Sequence, residues 1–167
     1  MSVALGKEHE VKIQIALIAV EDEATEVLSA LSAHAQSVFL AAGHEIIYEA
    51  ATIDNVGNIS ESVQTAAICG ANFILTIGGV GISPKDYTAR AMDPLLRFDV
   101  PGISEAIRAA GRKRNDLRAL LNRGRSGVLV SGSQRVLVVN VDSYPEALED
   151  ALSVLIPLLP TAMREIA

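Results

Sequence analysis

The sequence predicts an α/β fold: a three-layer, mostly parallel, doubly wound sheet with a late antiparallel hairpin. Short apolar runs rich in strand formers alternate with amphipathic segments in the order strand, helix, strand, helix, strand. Two later strand-like runs flank a turn at 131–134, and we expect this hairpin at the edge of the sheet. Since 50% of the 167 residues are hydrophobic, we expect one core and a single domain over 11–167, after an N-terminal extension, 1–10.

The first strand is predicted over Val11–Val20, because an apolar run with few polar breaks fits a central strand covered on both faces. Acidic residues at 21–23 are expected to open the first helix, which Gly43 closes. Spacing of three and four residues predicts the buried stripe of this helix. Its members are Val27, Leu31, Ala35, Val38 and Ala42.

A second strand is predicted over Glu45–Ala51. Asn58 and Glu61 resemble a capping box for the next helix. The buried stripe predicted for that helix is Ile59, Val63 and Ala67.

The segments around the hairpin are expected to be helical. Asp93-Pro94 predicts a helix start, Pro101-Gly102 a break and 103–110 a second helical stretch, and 112–122 is expected to be helical as well. The hairpin strands are predicted over 127–130 and 135–141.

The last helix is predicted to begin near Pro145, because proline fits the first helical turn. Leu148, Leu152 and Leu155 should face inward, and Pro157 should end the helix.

A glycine-rich loop follows the third predicted strand, Phe73–Ile77. Gly78, Gly79 and Gly81 can adopt backbone angles that a Cβ forbids, and they let a ligand approach main-chain N–H groups. Such a loop suits an anion. The alternative is a tight strand-to-helix turn with no ligand, capped by an Asp or Thr.

The residues after the glycines strengthen the anion hypothesis. Lys85 adds a cation, Asp86 can hold a metal ion or orient a nucleophile, and Thr88 can cap a helix that starts near Ala89. The loop is neither a dinucleotide fingerprint, because Pro84 occupies the place of the third glycine, nor a P-loop, because no Gly-Lys-Ser/Thr follows.

Acidic residues directly follow the first two predicted strands. Glu21 and Asp22 follow the first and Asp54 the second, so they should meet the 78–86 loop at the carboxyl edge of the sheet. Carboxylates beside an anion site are explained if Mg²⁺ neutralises a polyphosphate there. For Asp54 alone, an ordinary turn or cap residue is the alternative.

Charge and composition argue against several other functions. The net charge is −6, and although seven of the 14 Lys and Arg residues lie between Arg108 and Arg125, that segment has no aromatic side chain to stack bases. We therefore expect no nucleic-acid partner there, and either a site for a small phosphorylated ligand or a solvated helical face.

The single Cys69 is expected to be a packed thiol at a helix end, and the three histidines are scattered, which disfavours a zinc site or a Cys/His nucleophile. No apolar run approaches 18 residues and the charged start is unlike a signal peptide, so no membrane partner and a cytoplasmic location are expected.

The glycine loop resembles a known family. Thr76-Ile77-Gly78-Gly79-Val80-Gly81, followed after four residues by Asp86-Tyr87-Thr88-Ala89-Arg90-Ala91, is similar to the signature Thr-x-Gly-Gly-Thr-Gly-x4-Asp-x-Thr-Pro-Glu-Ala of the Mog/MoaB family of molybdenum-cofactor biosynthesis, which is also found in gephyrin. The resemblance extends over roughly 11–155 and implies that 11–167 is one molybdopterin-binding-like domain.

The resemblance also implies a reaction. Members that are molybdopterin adenylyltransferases move AMP from Mg-ATP onto the terminal phosphate of molybdopterin and release pyrophosphate. Asp54 and Asp86 match the aspartates tied to that chemistry, as catalytic residues and Mg²⁺ ligands. The implied partners are molybdopterin and ATP, in a homotrimer or homohexamer.

Looser matches extend the candidate site. The 101–108 segment is similar to the family's Pro-Gly-x-x-Glu-x-x-Arg, 122–128 to its Ser-Arg-x-x-x-Gly-Val loop, and 140–145 to its Asn-Leu-Pro-Gly-x-Pro turn. The candidate substrate- and phosphate-binding residues are Gly78, Gly79, Val80, Gly81, Lys85, Thr88, Glu105, Arg123 and Ser143.

Several departures fall at the same site. Val80 replaces a Thr, Ala89-Arg90 replaces Pro-Glu, and the family's long Ser-Asp-Arg loop is shortened to 21–23, with Glu where Arg stood. Two hypotheses follow. The first is a working adenylyltransferase, and the second is a pterin-phosphate or nucleotide binder of the same fold, or a purely oligomeric partner, that no longer transfers AMP.

Overall fold

The structure is a computed structural model that describes residues 12–22 and 25–167. The predicted N-terminal extension, 1–10, lies outside these residues, as do Val11 and Glu23. The strands are β1 (Gln14–Glu21), β2 (Glu45–Ile53), β3 (Phe73–Ile77), β4 (Leu96–Asp99), β5 (Ser126–Ser131) and β6 (Gln134–Val141). The helices are α1 (Glu26–Ala41), α2 (Val56–Ile68), α3 (Thr88–Ala91), α4 (Pro101–Lys113), a 3₁₀ helix (Leu117–Leu121) and α5 (Pro145–Ile166).

The strands form one sheet in the order β2-β1-β3-β6-β5-β4. Pairing is parallel from β2 through β6, whereas β5 is antiparallel to both β6 and β4. The predicted parallel sheet with a late hairpin is thus confirmed. The hairpin itself is interior, and its predicted edge position is wrong, because β4 pairs with β5 and forms the edge.

Two hydrophobic cores lie on opposite faces of the sheet. Along β1, Ile15 and Leu17 face the core under α1, α4 and α5, while Ala16 and Ile18 face the core under α2 and α3. This alternation follows from the two-residue period of a strand. The result is the expected three-layer arrangement.

The first two helices begin at residues other than those predicted. Thr25 caps α1, with its Oγ1 accepting from Leu28 N (3.3 Å), so the helix starts after the acidic segment. Its buried residues are Leu28, Leu31, Ala35 and Phe39. Val27 and Ala42 are therefore exposed, and their predicted burial is wrong.

Asn55 caps α2, with its Oδ1 accepting from Asn58 N at 2.8 Å. The predicted capping box at Asn58 and Glu61 is wrong by three residues, because the cap that actually forms is the Asn that directly follows the strand-end turn. The predicted stripe of Ile59, Val63 and Ala67 is buried.

Prolines account for three corrections in the C-terminal half. Asp93-Pro94 lies in a turn before β4, and Pro101 is the first residue of α4, where its missing N–H costs no helical hydrogen bond. Helix α5 continues through Pro157 and Pro160, both on its exposed side, where carbonyls without a helical donor can be hydrated.

The predicted helix over 112–122 is also interrupted. Helix α4 ends at Lys113 and Asn115 adopts a φ of 60°, after which the 3₁₀ helix begins. The inward positions of Leu148, Leu152 and Leu155 on α5 are confirmed. Within residues 12–22 and 25–167, no helix has both the length and the apolarity needed to cross a bilayer.

Replacing Phe39 with alanine should lower the free energy of unfolding by about 3–5 kcal/mol, because a fully buried ring would leave a cavity. Phe39 also packs edge-on against Phe73, with ring centroids 6.0 Å apart. Leu40→Ala on the same helix is the matched control, since Leu40 is 52% exposed and should change stability by less than about 1 kcal/mol. Urea denaturation followed by circular dichroism measures both, and equal effects would contradict the assigned helix face.

Candidate functional site

A cleft of about 440 Å³ lies at the carboxyl edge of the parallel strands. The segments that follow β1, β2 and β3 meet there, as the strand-end rule predicts. A fourth segment, after β6, also contributes. The polar residues and the glycine that line the cleft are Glu21, Asp22, Thr25, Asp54, Gly79, Lys85, Asp86 and Ser143.

The glycine loop crosses the end of β1 at close range. Gly78 has a φ of 111°, and a Cβ on it would lie 2.3 Å from the carbonyl oxygen of Val20. Gly79 has a φ of 68°, and a Cβ on it would lie 2.3 Å from Thr88 Oγ1 and 2.8 Å from Asp54 Oδ2. Only glycine fits both positions, because any side chain would push the loop out of the cleft.

Asp54 joins the end of β2 to the far end of the glycine loop. Its Oδ1 accepts from Tyr87 N (3.0 Å), and its own N–H donates to the carbonyl of Glu21 (3.2 Å). Burial raises the pKa of the Asp54 carboxyl above its ordinary value, and the negative charges of Asp86 and Asp22 raise it further. Asp54 therefore stabilises a turn, which was the alternative considered for it, and also lines the cleft.

Asp86 shapes the loop to which it belongs. Its Oδ2 accepts from Ser83 N at 2.8 Å and lies 2.7 Å from where a Cβ on Gly81 would be. In the described part of the chain, Asp54 Oδ2 and Asp86 Oδ1 accept no hydrogen bond. Each carboxylate therefore uses one oxygen to hold the loop, and its other oxygen has no hydrogen-bond donor among the described residues.

The loop also offers main-chain donors. Among the described residues, no acceptor pairs with the N–H groups of positions 79, 80, 81 and 82. Consecutive unpaired N–H groups beside a glycine turn are the ordinary means by which proteins bind phosphate oxygens.

Two of the candidate residues are exposed in the cleft. Lys85 extends into solvent, with its Nζ 3.8 Å from Asp22 Oδ2, and Ser143 follows β6. Such a long, exposed ion pair contributes little to stability, so Lys85 is free to exchange its partner for an anionic ligand.

Val80 and Thr88 have fully buried side chains. Thr88 is the first residue of α3 and donates from Oγ1 to the carbonyl of Gly78 (2.8 Å), so its predicted role as helix cap is wrong. The hydroxyl is used instead to hold the glycine turn. Neither side chain reaches the cleft, and contact with a ligand from either residue would come from its backbone.

Glu105 and Arg123 do not line the cleft. Glu105 is exposed on α4, and the Arg123 guanidinium donates to the carbonyls of Gly81 (2.6 Å) and Asp86 (2.8 Å). Five of the seven basic residues in the 108–125 segment donate side-chain hydrogen bonds within the protein. Arg108 and Arg123 donate to loop carbonyls, whereas Arg114 pairs with Asp150 on α5. Arg112, Lys113, Arg114 and Arg118 are exposed, as expected for a solvated face.

Cys69 terminates α2 as predicted, but its side chain is exposed and the packed position is wrong. The chain turns directly after Cys69 at Gly70, which has a φ of 102°.

Asp142 is a carboxylate near the site that the sequence predictions missed. Burial raises its pKa, and the nearby charge of Asp86 raises it further, while Arg118 acts in the opposite sense. Because Asp142 directly follows β6, the strand-end rule that indicated Asp54 would also have indicated Asp142. It was instead aligned with a family proline.

The cleft fits a magnesium ion held partly by a ligand. No group of three or more His, Cys, Asp or Glu side chains within residues 12–22 and 25–167 is placed to hold a metal ion. Asp54 and Asp86 supply two carboxylates, which is the number that Mg²⁺ usually takes from a protein when phosphate oxygens and waters complete its shell.

The fold and the cleft define a three-layer α/β domain with a glycine loop and two aspartates at the carboxyl edge of its sheet. The family described as "probable molybdopterin binding domain" matches residues 12–161. A molybdenum cofactor biosynthesis bifunctional protein of Synechococcus elongatus is 34% identical over 110 residues, which are 66% of this chain and 33% of that protein. The chain thus spans about a third of that relative's length.

Smaller relatives are matched more completely. Molybdenum cofactor biosynthesis protein B of Staphylococcus carnosus is 32% identical over 62% of this chain and 59% of its own length. The crystal structure of the molybdopterin biosynthesis enzyme MoaB from Thermus thermophilus superposes with a TM-score of 0.79 at 27% identity, over 92% of this chain and 96% of that one. This chain belongs to the Mog/MoaB family.

Replacing Gly78 with alanine should lower the free energy of unfolding by about 3 kcal/mol or more, because the backbone angle is strained for an L-residue and the new Cβ meets a carbonyl oxygen. Gly102→Ala is the matched control: it lies in α4 with nothing within 4 Å, and alanine there should be neutral or stabilising by less than about 1 kcal/mol. Thermal denaturation compares the two, and equal effects would show that the loop does not cross β1 this closely.

Asp54→Asn should stabilise the fold at pH 7. A raised carboxyl pKa means that the folded state holds its proton more tightly than the unfolded state, so the contribution of Asp54 to stability falls as pH rises through that window. Asparagine removes the charge and keeps an oxygen for Tyr87 N.

Asp116→Asn is the control, and it should have the opposite effect on stability at pH 7. The Arg118 hydrogen bond lowers the pKa of Asp116, so the stability that the ionised Asp116 contributes is lost as pH falls. Urea denaturation at pH 7 and at pH 3 measures both variants. A destabilised Asp54→Asn at pH 7 would contradict the unfavourable burial of the charged Asp54 carboxylate in the cleft.

Proposed function

We propose that this domain acts in molybdenum cofactor biosynthesis as a molybdopterin adenylyltransferase, which moves AMP from Mg-ATP to the terminal phosphate of molybdopterin. The observation that carries the proposal is the convergence of Asp54 and Asp86 on the glycine loop within one cleft. Membership of the Mog/MoaB family and the names of its relatives agree with this substrate class.

In the proposed reaction, an oxygen of the molybdopterin phosphate attacks the α-phosphorus of ATP. A new P–O bond forms, the bond from the α-phosphorus to the oxygen bridging the β-phosphate breaks, and its electron pair leaves with pyrophosphate. A phosphate monoester is largely a dianion at pH 7, since its second pKa is about 6, so the nucleophile needs no general base. Catalysis is therefore mainly positioning and charge stabilisation.

The chain's own groups divide this work between them. The N–H groups at 79–82 are placed to bind phosphate oxygens, and Lys85 adds a mobile positive charge at the rim. The free oxygens of Asp54 and Asp86 would hold Mg²⁺, which when bound neutralises phosphate charge as a Lewis acid. Glycine at 79 lets these groups approach without a side chain between them.

The second candidate is a binder of the same ligands without turnover. It is favoured by the buried Val80, which supplies no hydroxyl where the family signature has threonine, and by the acidic rim at Glu21 and Asp22. Like charges at the rim weaken triphosphate binding most at low salt.

Incubation with molybdopterin and Mg-ATP, followed by assays for adenylylated product and pyrophosphate, tests the proposal. Wild type should form both, and Asp86→Asn should lower turnover by about 100-fold or more with the fold intact, because a group that stabilises transition-state charge is lost. Glu61→Gln, an equal charge change at an exposed position of α2, should leave turnover unchanged.

Three results would separate the candidates. Product from wild type supports the transferase, and unchanged turnover in Asp86→Asn would remove Asp86 from the mechanism. Binding of Mg-ATP and molybdopterin without product would support the binder. Failure to bind either ligand would contradict both.

A further inference from the structure

We infer that Arg123 is a positioning residue that holds the glycine loop and Asp86 in place, and that it does not bind the substrate phosphate. The inference rests on the proposed function, since it assigns how one residue acts in that site. It reverses the simplest expectation for an arginine beside a phosphate loop, which is direct contact with the ligand.

The contacts of Arg123 are all with the loop. Its guanidinium donates from Nε to the carbonyl of Gly81 at 2.6 Å and from Nη2 to the carbonyl of Asp86 at 2.8 Å. Its backbone N–H donates to the carbonyl of Val80 at 2.7 Å. One residue therefore binds three carbonyls on both sides of the turn that contains 82–85.

One edge of the Arg123 guanidinium, that of Nε and Nη2, is already occupied. Arginine recognises phosphate most strongly through two parallel N–H donors on one edge, and here the Nε and Nη2 edge is paired with two loop carbonyls. Arg123 also does not line the cleft that contains Asp54, Gly79 and Asp86. Phosphate binding through that edge would require both loop contacts to break.

The backbone around Arg123 is anchored, so the residue can act as a brace. Asn122 Oδ1 accepts from Gly124 N at 2.6 Å, and the Gly124 carbonyl accepts from Arg108 Nη1 at 3.2 Å. A Cβ on Gly124 would lie 2.6 Å from the Asn140 carbonyl, which shows how closely this segment packs on β6. The loop is thus tied to the sheet through the segment that leads into β5.

The consequence concerns Asp86 in particular. Its carboxylate holds Ser83 N while its carbonyl is held by Arg123, so its side chain and its main chain fix the same turn. Without the guanidinium, the turn keeps its sequence and its glycines but loses the contact that sets the position of Asp86. Misplacement of a reacting group by about 1 Å can cost about 100-fold in rate.

Arg123→Gln and Arg123→Lys test the inference, with Arg112→Gln as the matched charge control, since Arg112 is an exposed residue at the end of α4 in the same basic segment. Both Arg123 variants should speed hydrogen exchange of the backbone amides in 79–87. Both should lower kcat by about 10-fold to 100-fold while the KM for ATP stays within about threefold. Lysine should not rescue, because an ammonium cannot donate in a fork to two carbonyls. Arg112→Gln should change none of these.

Two results would overturn the inference and indicate a phosphate contact. One is unchanged hydrogen exchange of the 79–87 amides in the Arg123 variants. The other is that Arg123→Lys restores activity while Arg123→Gln changes only the KM for ATP. If wild type makes no adenylylated product, the proposed function fails. The role of Arg123 is then decided by hydrogen exchange and by Mg-ATP affinity in calorimetry. Faster exchange with affinity within about threefold supports positioning, and a loss of affinity with unchanged exchange overturns it.

Discussion

The structure depends on the close approach of one loop to the end of one strand. Gly78 lies where a Cβ would be 2.3 Å from the Val20 carbonyl, and Gly79 lies directly against the Asp54 carboxylate. This contact brings the exit of β3 across the end of β1 and within reach of β2. The cleft, its unpaired N–H groups and the position of both aspartates follow from it, because a larger residue at either glycine would move the loop outward.

Polar side chains around this loop make the hydrogen bonds that hold it in place. Asp54, Asp86 and Thr88 each hold part of the turn, and each aspartate has one oxygen without a donor among the described residues. Arg123 closes the turn from outside. The turn is therefore held by hydrogen bonds from several separate segments of the chain.

The cleft is also electrostatically unfavourable on its own. Glu21, Asp22, Asp54 and Asp86 line it, and Lys85 is its one cation among the described residues. Burial raises the pKa of the Asp54 carboxyl, and the negative charges of Asp86 and Asp22 raise it further. Such an arrangement costs folding stability, and a bound cation would offset part of that cost.

Local signals allowed the parallel core and the glycine loop to be predicted from the sequence. The buried run 73–77 and the strand-end acids are contiguous patterns, and the structure places them together. The helix boundaries predicted at Pro94, Pro101 and Pro157 were wrong. The effect of a proline depends on whether it starts a helix, as at Pro101, or lies on the exposed side of one, as at Pro157. The contacts of Arg123 could not be predicted, since its partners lie 37 and 42 residues away along the chain.

An NMR titration with Mg-ATP tests the central claim most directly, namely that the glycine loop and the two aspartates form one phosphate and magnesium cleft. We expect saturable shifts of the backbone amides of 79–82 and of Asp54 and Asp86, and much smaller shifts when Mg²⁺ is omitted. Shifts confined to a surface outside the cleft, or no shifts at all, would contradict this claim.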